Sequence, residues 1–385
     1  MNARSSRPAA AGWGWFGGYW TPRAWGRGDH ALAFTAGVLV VIGLVMIYSA
    51  SSAIATTRYG DATYFLFRQA AWALVGLAAF GVGARIDYHT WRRVVAPLTL
   101  GMIALLAVVL AAGWSVNGSR RWLRAAGFTI QPSEFARVVF IVYAAHMLAK
   151  REETIRSFKS LAPLLVVVGV GVGLILAEPD LGNAVVLATV TAALCVLGGA
   201  RLSHLGALAA CAAPLVAYAV LSTAYRRRRW TAFLDPWSDA NDSGFQVIQS
   251  MLAFGGGGAT GAGLGEGRQK LFFLPEPHTD FIYSVVGEEL GLLGTLAVLA
   301  LFAVLLWRGW RVALATADPF GRLLAFGLAT TIGLAAALNI GVATGMLPTK
   351  GLPLPLVSYG GSSLVANLFA VGIVFNVSRQ RGIKG

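Results

Sequence analysis

The feature that most constrains the fold of this chain is a series of ten long, mostly apolar stretches. A helix needs roughly 20 such residues to cross the hydrocarbon core of a bilayer. The stretches are continuous, whereas the strands of a membrane barrel alternate apolar and polar residues. We therefore predict an all-α polytopic membrane protein. Its ten predicted transmembrane helices lie at about 31–52, 67–86, 95–114, 134–149, 161–177, 183–200, 203–222, 281–307, 323–345 and 355–378.

Composition supports the same class of protein. Hydrophobic residues make up 56% of the 385 residues and charged residues only 12%, whereas charged residues account for about 25% of an ordinary soluble domain. The first 30 residues form a basic tail that is too long and too polar for a signal peptide, so we predict that the first apolar stretch is a retained helix. We expect a cytoplasmic tail at 1–30, one membrane domain at 31–380 and a second cytoplasmic tail at 381–385.

Charge predicts the orientation of the chain in the membrane. Ten spans place both termini on the same side, and 18 of the 31 Lys and Arg residues fall on that side, against 12 on the other. Because cytoplasmic segments are enriched in Lys and Arg, we predict that both termini are cytoplasmic. The one large loop, at 223–280 between the seventh and eighth helices, is then extracytoplasmic.

Two arginine clusters run against this charge bias. RRWLR at 120–124 and YRRRRW at 225–230 place seven arginines on the outer side. One explanation is that a long loop can be translocated whatever its charge. The other is an anion site, because the planar guanidinium group binds phosphate oxygens in pairs. The candidate anion-binding residues are Arg120, Arg121, Arg226, Arg227, Arg228 and Arg229.

Asp280 is the candidate catalytic residue. It stands in RQKLFFLPEPHTDFIYSVVGEELG, at 268–291, where a polar segment meets the eighth apolar stretch. An Asp near the start of a helix is commonly a cap. A carboxylate that is partly shielded from water can also have a raised pKa and act as a general base. The two roles are compatible.

Two further acidic residues lie about two helical turns beyond Asp280. They are Glu288 and Glu289. Carboxylates within a membrane are costly and usually face a partner or a cavity. We expect them to pair with Arg137 or Arg68, in a supporting rather than a catalytic role.

A second group of supporting residues lies around the fourth to sixth apolar stretches. Glu134 falls in the first turn of the helix that carries Arg137. Glu178 and Asp180, in EPDLGN, either form a sharp turn between two short spans or line a polar cavity. The residues alone leave both alternatives open.

The segment MLPTKGLPLPLVSYGGSS, at 346–363, interrupts apolar sequence with three prolines, Lys350 and a Gly-rich run. It predicts either a kink or unwound backbone that lines a cavity. Polar groups therefore gather on the outer side, which favours one outward-facing site for an anionic, partly lipidic ligand. The remaining candidate substrate-binding residues are Lys270, His278, Lys350 and Ser358.

Five motifs resemble those of the SEDS family, named for shape, elongation, division and sporulation. They are IQPSEFA, EPDLGNA, FLDPW, GLGEGRQKLFFLPEPHTDFIYSVVGEELGLLG and MLPTKGLPLPLVSYGGSS, in that order over about 31–380. The RQK and PTKG segments favour the division branch of the family over its elongation branch.

The resemblance implies a peptidoglycan glycosyltransferase that polymerises lipid II at the outer face of the bacterial plasma membrane. Its implied partners are a class B penicillin-binding protein, which is a transpeptidase, and other membrane proteins of cell division; no nucleic acid is implied. The essential Asp of the family's HTDF motif falls on Asp280. The Trp of its outer RW motif falls on Trp122, which is a further candidate substrate-binding residue.

The implied reaction needs a base and a group that stabilises a leaving diphosphate. Asp280 would accept the proton of the acceptor hydroxyl, and arginines, Lys350 or a bound divalent cation such as Mg or Mn would stabilise the diphosphate. The sequence shows no ligand set that fixes a metal, and no cofactor is otherwise implied. The alternatives are a lipid II flippase and a non-catalytic scaffold of the division machinery.

Overall fold

The computed structural model describes residues 28–116, 119–125, 128–221, 232–240, 244–271, 273–349 and 351–380. Within these ranges ten helices of 17 residues or more each overlap one predicted span, which confirms the all-α membrane architecture. They are α1 (His30–Tyr59), α2 (Tyr64–Arg85), α3 (Tyr88–Ala112), α4 (Pro132–Lys150), α5 (Phe158–Ala177), α6 (Leu181–Leu197), α7 (Leu202–Leu221), α9 (Ile282–Leu314), α10 (Pro319–Ala343) and α11 (Gly361–Arg379).

Seven of these helices are long and apolar enough to cross a membrane on length and hydropathy alone. The other three are α4, α6 and α7. α4 carries the buried polar residues Ser133, Glu134 and Arg137 in its first two turns, and α6 is only 17 residues long. α4 and α6 pack against longer neighbours, and the bundle as a whole is that of a multi-pass membrane protein.

Glycine contacts bring α2 and α11 close together. A Cβ atom on Gly372 would lie 2.4 Å from the Phe80 carbonyl oxygen, and one on Gly83 would lie 2.8 Å from the Phe369 carbonyl oxygen. Small residues allow helix backbones to approach in this way. The backbone N–H of Asp29 also donates to Ser378 Oγ at 2.8 Å. The last helix is therefore packed against the first two.

A three-stranded antiparallel sheet joins α3 to α4, at one end of the bundle. Its strands are β1 (Trp114–Val116), β2 (Ser119–Ala125) and β3 (Phe128–Ile130), in the order β1-β2-β3. The RRWLR motif, predicted only as part of an outer loop, forms the middle strand. Trp114 is paired with Trp122, and the Arg124 guanidinium lies 4.9 Å from the centre of the Trp114 ring.

Within the predicted outer loop 223–280, the described residues 244–271 and 273–280 fold back into the bundle. The loop contains a short 3₁₀ helix (Pro236–Asp239) and α8 (Phe245–Gly257), which packs against α9. The predicted eighth span is present as α9, but this helix is broken at Gly291, where φ is +66°.

A Gly-rich turn after α8 fills this break. The N–H groups of Ala262 and Gly263 donate to the carbonyl oxygens of Glu288 and Glu289 at 2.9 and 3.0 Å, and Leu292 N–H donates to the Gly258 carbonyl at 2.9 Å. The turn thus supplies partners for backbone groups that the broken helix leaves open, as non-helical backbone inside a membrane requires.

The turn depends on glycine at its point of closest approach. Gly261 has φ +86°, and a Cβ atom there would lie 2.1 Å from the Glu289 carbonyl oxygen. Only glycine combines a left-handed backbone with the absence of a side chain at this contact.

Candidate active site

Asp280 lies at the sheet end of the bundle, two residues before α9, and is partly buried. The N-cap position of α9 belongs to Phe281 rather than to Asp280. The backbone carbonyl of Asp280 accepts a hydrogen bond of 2.9 Å from Asn339 Nδ2, which also donates to the Leu352 carbonyl at 2.8 Å. Asn339 therefore joins Asp280 to the unwound segment between α10 and α11.

The two residues before Asp280 are held by the same unwound segment. Ser358 Oγ donates to the Thr279 carbonyl at 2.6 Å, and Tyr359 N–H donates to the His278 carbonyl at 2.9 Å. The carbonyls of three consecutive residues are thus fixed from outside their own segment. This arrangement holds the Asp280 backbone in place without using its carboxylate.

Arg121 borders the same small space as the Asp280 carboxylate. A Cβ atom built on Gly351, which is exposed, would lie 3.6 Å from Asp280 Oδ2 and 3.8 Å from Arg121 Nη1. Side chains alternate between the two faces of a strand, so Arg120 and Trp122 lie on the opposite face of β2. Of the RRWLR cluster, the structure brings Arg121 to Asp280.

Glu178 is the second carboxyl group near Arg121. It lies in the turn after α5, is fully buried, and neither of its oxygens has a hydrogen-bond partner among the described residues. Burial, with the nearby Asp180 carboxylate, raises the pKa of Glu178 to about 8 against the opposing effect of Arg121. Glu178 is therefore a buried carboxyl group that is largely protonated at neutral pH.

Asp180 is instead a structural residue. It caps α6, where Oδ1 accepts from Asn183 N–H at 3.1 Å. Its Oδ2 accepts from Gln131 Nε2 at 2.8 Å, Ser133 Oγ at 2.9 Å and Asn183 Nδ2 at 2.7 Å. Both acidic residues of EPDLGN thus lie in the turn between α5 and α6, where Glu178 follows the end of α5 and Asp180 caps α6.

The predicted pairing of Glu288 and Glu289 with Arg137 or Arg68 was wrong. Arg137 forms an ion pair with Glu134, three residues earlier on α4, and Arg68 bonds the Tyr64 hydroxyl at 2.8 Å.

The partners of the two glutamates come from the segment that folds back beside α9. Lys270 Nζ lies 2.7 Å from Glu289 Oε1. Glu288 Oε1 accepts from the backbone N–H groups of Arg268 and Gln269 at 2.7 and 3.1 Å. The prediction failed because it treated this segment as lying outside the bundle.

Lys270 was predicted to bind substrate, and the structure corrects this. Its ammonium group donates to Glu289, to Ser49 Oγ at 2.9 Å and to the Gly265 carbonyl at 2.7 Å. These bonds use all three N–H donors of a lysine, and the residue is buried. Lys270 fastens the Gly-rich turn to α1 and α9.

His278 and Ser358, two predicted substrate-binding residues, lie in the interior of the protein, and their contact with substrate stays a prediction. Both are buried. The His278 ring lies between those of Phe65 and Tyr359, with centroids 4.5 and 5.5 Å away. Ser358 Oγ accepts from Leu354 N–H at 2.9 Å while it donates to Thr279, so its hydroxyl is already engaged.

We expect acidification to destabilise the fold through His278. Burial, with a smaller effect of Arg58, lowers the pKa of His278 to about 4. The unfolded chain, with a His pKa near 6.5, takes up a proton that the folded chain excludes, so the free energy of unfolding falls as the pH drops from about 6.5 towards 4. The loss between pH 7 and pH 5 is roughly 2 kcal/mol.

Thermal unfolding at the two pH values would measure this loss. Phenylalanine does not titrate, so the stability of His278→Phe should depend less on pH. The stability of His30→Gln, at an exposed position, should keep the wild-type pH dependence. An unchanged dependence in His278→Phe would contradict the assignment.

Five predicted substrate-binding residues lie outside the described residues. They are Arg226, Arg227, Arg228, Arg229 and Lys350. Their proposed roles stay predictions.

Sequence reasoning missed the amide side chains of the site. Gln69 Oε1 accepts from Gly360 N–H at 3.2 Å, and Asn339, Gln131 and Asn183 make the bonds described above. A signal was present, since each is an isolated amide in or beside an apolar stretch, where an unpaired amide is costly.

The described residues do not fit the predicted divalent cation on their own. No group of three or more His, Cys, Asp and Glu side chains in the described part of the chain is arranged to hold a metal ion. Asp280 offers a single carboxylate, so we derive no catalytic step through a metal.

Comparison with known proteins identifies the family. The family model for FtsW, RodA and SpoVE, described as cell cycle protein, matches residues 29–383. The chain is 48% identical over 360 residues to the probable peptidoglycan glycosyltransferase FtsW of Geobacter metallireducens, covering 92% of this chain and 96% of that protein. It is 42% identical over 354 residues to stage V sporulation protein E of Bacillus subtilis, covering 91% and 97%.

Solved structures agree. A chain from a peptidoglycan synthase complex, reported for its structural coordination of polymerization and crosslinking, superposes with a TM-score of 0.77 at 32% identity, covering 94% of this chain and 100% of that one. Rod shape determining protein RodA of Thermus thermophilus superposes with a TM-score of 0.70 at 28% identity, covering 93% and 98%. The chain therefore belongs to the FtsW, RodA and SpoVE family of cell cycle proteins.

Proposed function

We propose that this protein is a peptidoglycan glycosyltransferase of cell division that polymerises lipid II. The observation that carries the proposal is the partly buried Asp280, whose carboxylate borders the same space as the Arg121 guanidinium at one end of the bundle. Relatives named as FtsW glycosyltransferases over most of the chain support both the activity and the division branch.

In this proposal Asp280 is the general base. Its carboxylate accepts the proton of the acceptor sugar's 4-hydroxyl, and that oxygen forms a bond to C1 of the growing strand. The bond from C1 to the undecaprenyl diphosphate breaks, and the diphosphate leaves with the electron pair. A displacement of this kind inverts the configuration at C1, and one positioned base is sufficient for it.

Arg121 is suited to the departing diphosphate. Its planar guanidinium group can bind phosphate oxygens through two parallel hydrogen bonds. Its Nε is buried and without a partner among the described residues, so donor capacity is present beside the carboxylate. The arginines at 226–229 and Lys350 would add to this charge, and the divalent cation stays a prediction.

We place Asp280 at the outer face of the plasma membrane and both termini in the cytoplasm, because of the 18-to-12 division of Lys and Arg. A cysteine at the exposed Ser238 and one at the exposed Ser157, each in a Cys211→Ser background, should be labelled by an impermeant maleimide from opposite sides. Labelling of both from the same side would contradict this orientation.

A class B penicillin-binding protein is the proposed partner, together with other membrane proteins of division. A structural neighbour comes from a peptidoglycan synthase complex that couples polymerization with crosslinking. Such coupling suits a transpeptidase held beside the polymerase.

The direct test is polymerisation of lipid II by the purified full-length chain together with its transpeptidase. We expect glycan strands, separated by gel electrophoresis, when both proteins are present. Transfer of lipid II from one leaflet of a vesicle membrane to the other, with no glycan polymer formed, would favour the flippase alternative. If the complex forms but lipid II is neither moved nor polymerised, the scaffold alternative gains support.

A further inference from the structure

An apolar groove runs along α2 in the half of the bundle away from Asp280. One part of it, of about 460 Å³, is lined only by Ala, Gly, Val, Leu and Phe residues of α1, α2 and α11. A second part, of about 600 Å³, continues along α2 to Arg85 and Arg379. The two parts share Leu77 and Phe80, so they adjoin, and we call the two together the channel.

Small side chains keep the channel open. Ala36 and Gly37 of α1 line it together with Ala70 and Ala73 of α2. A Cβ atom on Gly37 would meet no atom within 4 Å, and the same holds for Gly81 in the second part. By contrast, Gly83 is in close contact with α11. The channel is therefore free volume beside a tightly packed helix pair.

The channel ends at two arginines on the side of the membrane opposite Asp280. Arg85 and Arg379 are the last residues of α2 and α11. α2 begins beside His278, since Phe65 contacts its ring, and a helix of 22 residues spans roughly 30 Å. The arginines thus lie near the other membrane boundary, about one bilayer thickness from the active site.

We propose that this channel binds a phospholipid with an anionic headgroup. One acyl chain occupies the apolar part, and the headgroup phosphate is bound by Arg85 and Arg379. An apolar channel that ends in guanidinium groups is complementary to an amphipathic anion, because the acyl chain suits the apolar part and the phosphate suits the guanidinium groups. In the orientation proposed above, this lipid belongs to the cytoplasmic leaflet, so its site is separate from that of the substrate.

Native mass spectrometry of the detergent-solubilised full-length chain tests this inference with two lipids, dioleoyl phosphatidylglycerol and dioleoyl phosphatidylcholine. We expect the phosphatidylglycerol adduct to form at lower lipid concentration. Arg85→Gln, at an exposed position, should weaken that adduct about fivefold, and Arg85→Gln with Arg379→Gln should weaken it further, towards the phosphatidylcholine level. Lipid binding is measured without polymerase activity. A failure of this lipid-binding proposal is therefore distinguishable from a failure of the proposed function.

The glycine positions supply matched variants. Gly37→Leu and Gly81→Leu should fill the channel and reduce binding of both lipids, and Leu is a better helix former than Gly, so folding is retained. Gly169→Leu on α5, also with nothing within 4 Å of its Cβ position, should bind lipid like the wild type. Equal phosphatidylglycerol adducts in the Gly37, Gly81 and Gly169 variants would overturn the proposal.

Two other results would also overturn it. One is equal binding of the two lipids with no effect of Arg85→Gln, which would show that the channel does not recognise an anionic headgroup. The other is a bound polypeptide, seen in the mass spectrum in place of lipid and lost in Gly37→Leu. That result would show that a partner helix occupies the channel.

Discussion

Asp280→Asn is expected to slow glycan polymerisation by about 10²–10⁴-fold, because it removes the general base while keeping the size of the side chain. The backbone carbonyls of residues 278–280 would keep their hydrogen bonds from Tyr359, Ser358 and Asn339. Folding and transpeptidase binding should therefore persist. The measurement is the initial rate of lipid II polymerisation by the purified complex.

A matched control lies in the same segment. Glu276 is an exposed carboxylate four residues earlier, and Glu276→Gln should polymerise lipid II at close to the wild-type rate. If Asp280→Asn stays folded, binds its partner and polymerises within a fewfold of wild type, then Asp280 is not the base. Glu178, buried beside Arg121, would be the next carboxyl group to test.

Lys270→Met is expected to lower the free energy of unfolding by about 3–5 kcal/mol. It leaves the fully buried Glu289 without its cation, and removal of one partner of a buried ion pair carries a cost of this size. The Gly-rich turn would loosen with it, because Lys270 also donates to the Gly265 carbonyl. Thermal unfolding of the purified variant measures the loss.

A double variant separates the ion pair from the rest of the contact. In Lys270→Met with Glu289→Gln the buried charge is gone, and Gln can still bond Ser49 and Gly265 N–H, so most of the lost stability should return. Lys150→Met, at an exposed position, should change stability by no more than about 0.5 kcal/mol. Wild-type stability of Lys270→Met would show that the pair contributes nothing.

Long apolar stretches predicted the ten helices because an apolar run of about 20 residues favours a helix that crosses a bilayer, although only seven of the ten meet that criterion on length and hydropathy alone. Helix ends were less predictable. α1 continues to Tyr59, beyond the predicted end at residue 52, through a polar stretch in which hydroxyl groups bond carbonyls four residues earlier. Ser51 Oγ bonds the Ile47 carbonyl at 2.7 Å, and Thr56 Oγ1 bonds the Ser52 carbonyl at 2.9 Å. Hydropathy does not register such bonds.

The candidate base could be predicted from its motif, but the charge pairs could not. Pairing depends on whether a loop stays outside the bundle or returns to it. Lys270 reaches Glu289 only because the Gly-rich turn docks at Gly291, a contact between backbone groups that leaves no pattern of apolar residues. The strands of the sheet were also missed, because β1 and β3 are only three residues long and so show no pattern of alternating residues.

The packing of α11 against α2 sets the order in which the protein can be completed during its synthesis. The face of α2 that carries Gly83 is covered by α11, which ends at Arg379. The backbone N–H of Asp29 donates to Ser378, which lies 349 residues later in the chain. Contacts this distant in sequence form late. A chain that stops before α11 therefore leaves α2 without its main partner, so we expect membrane quality control to remove such incomplete chains more readily than the finished protein.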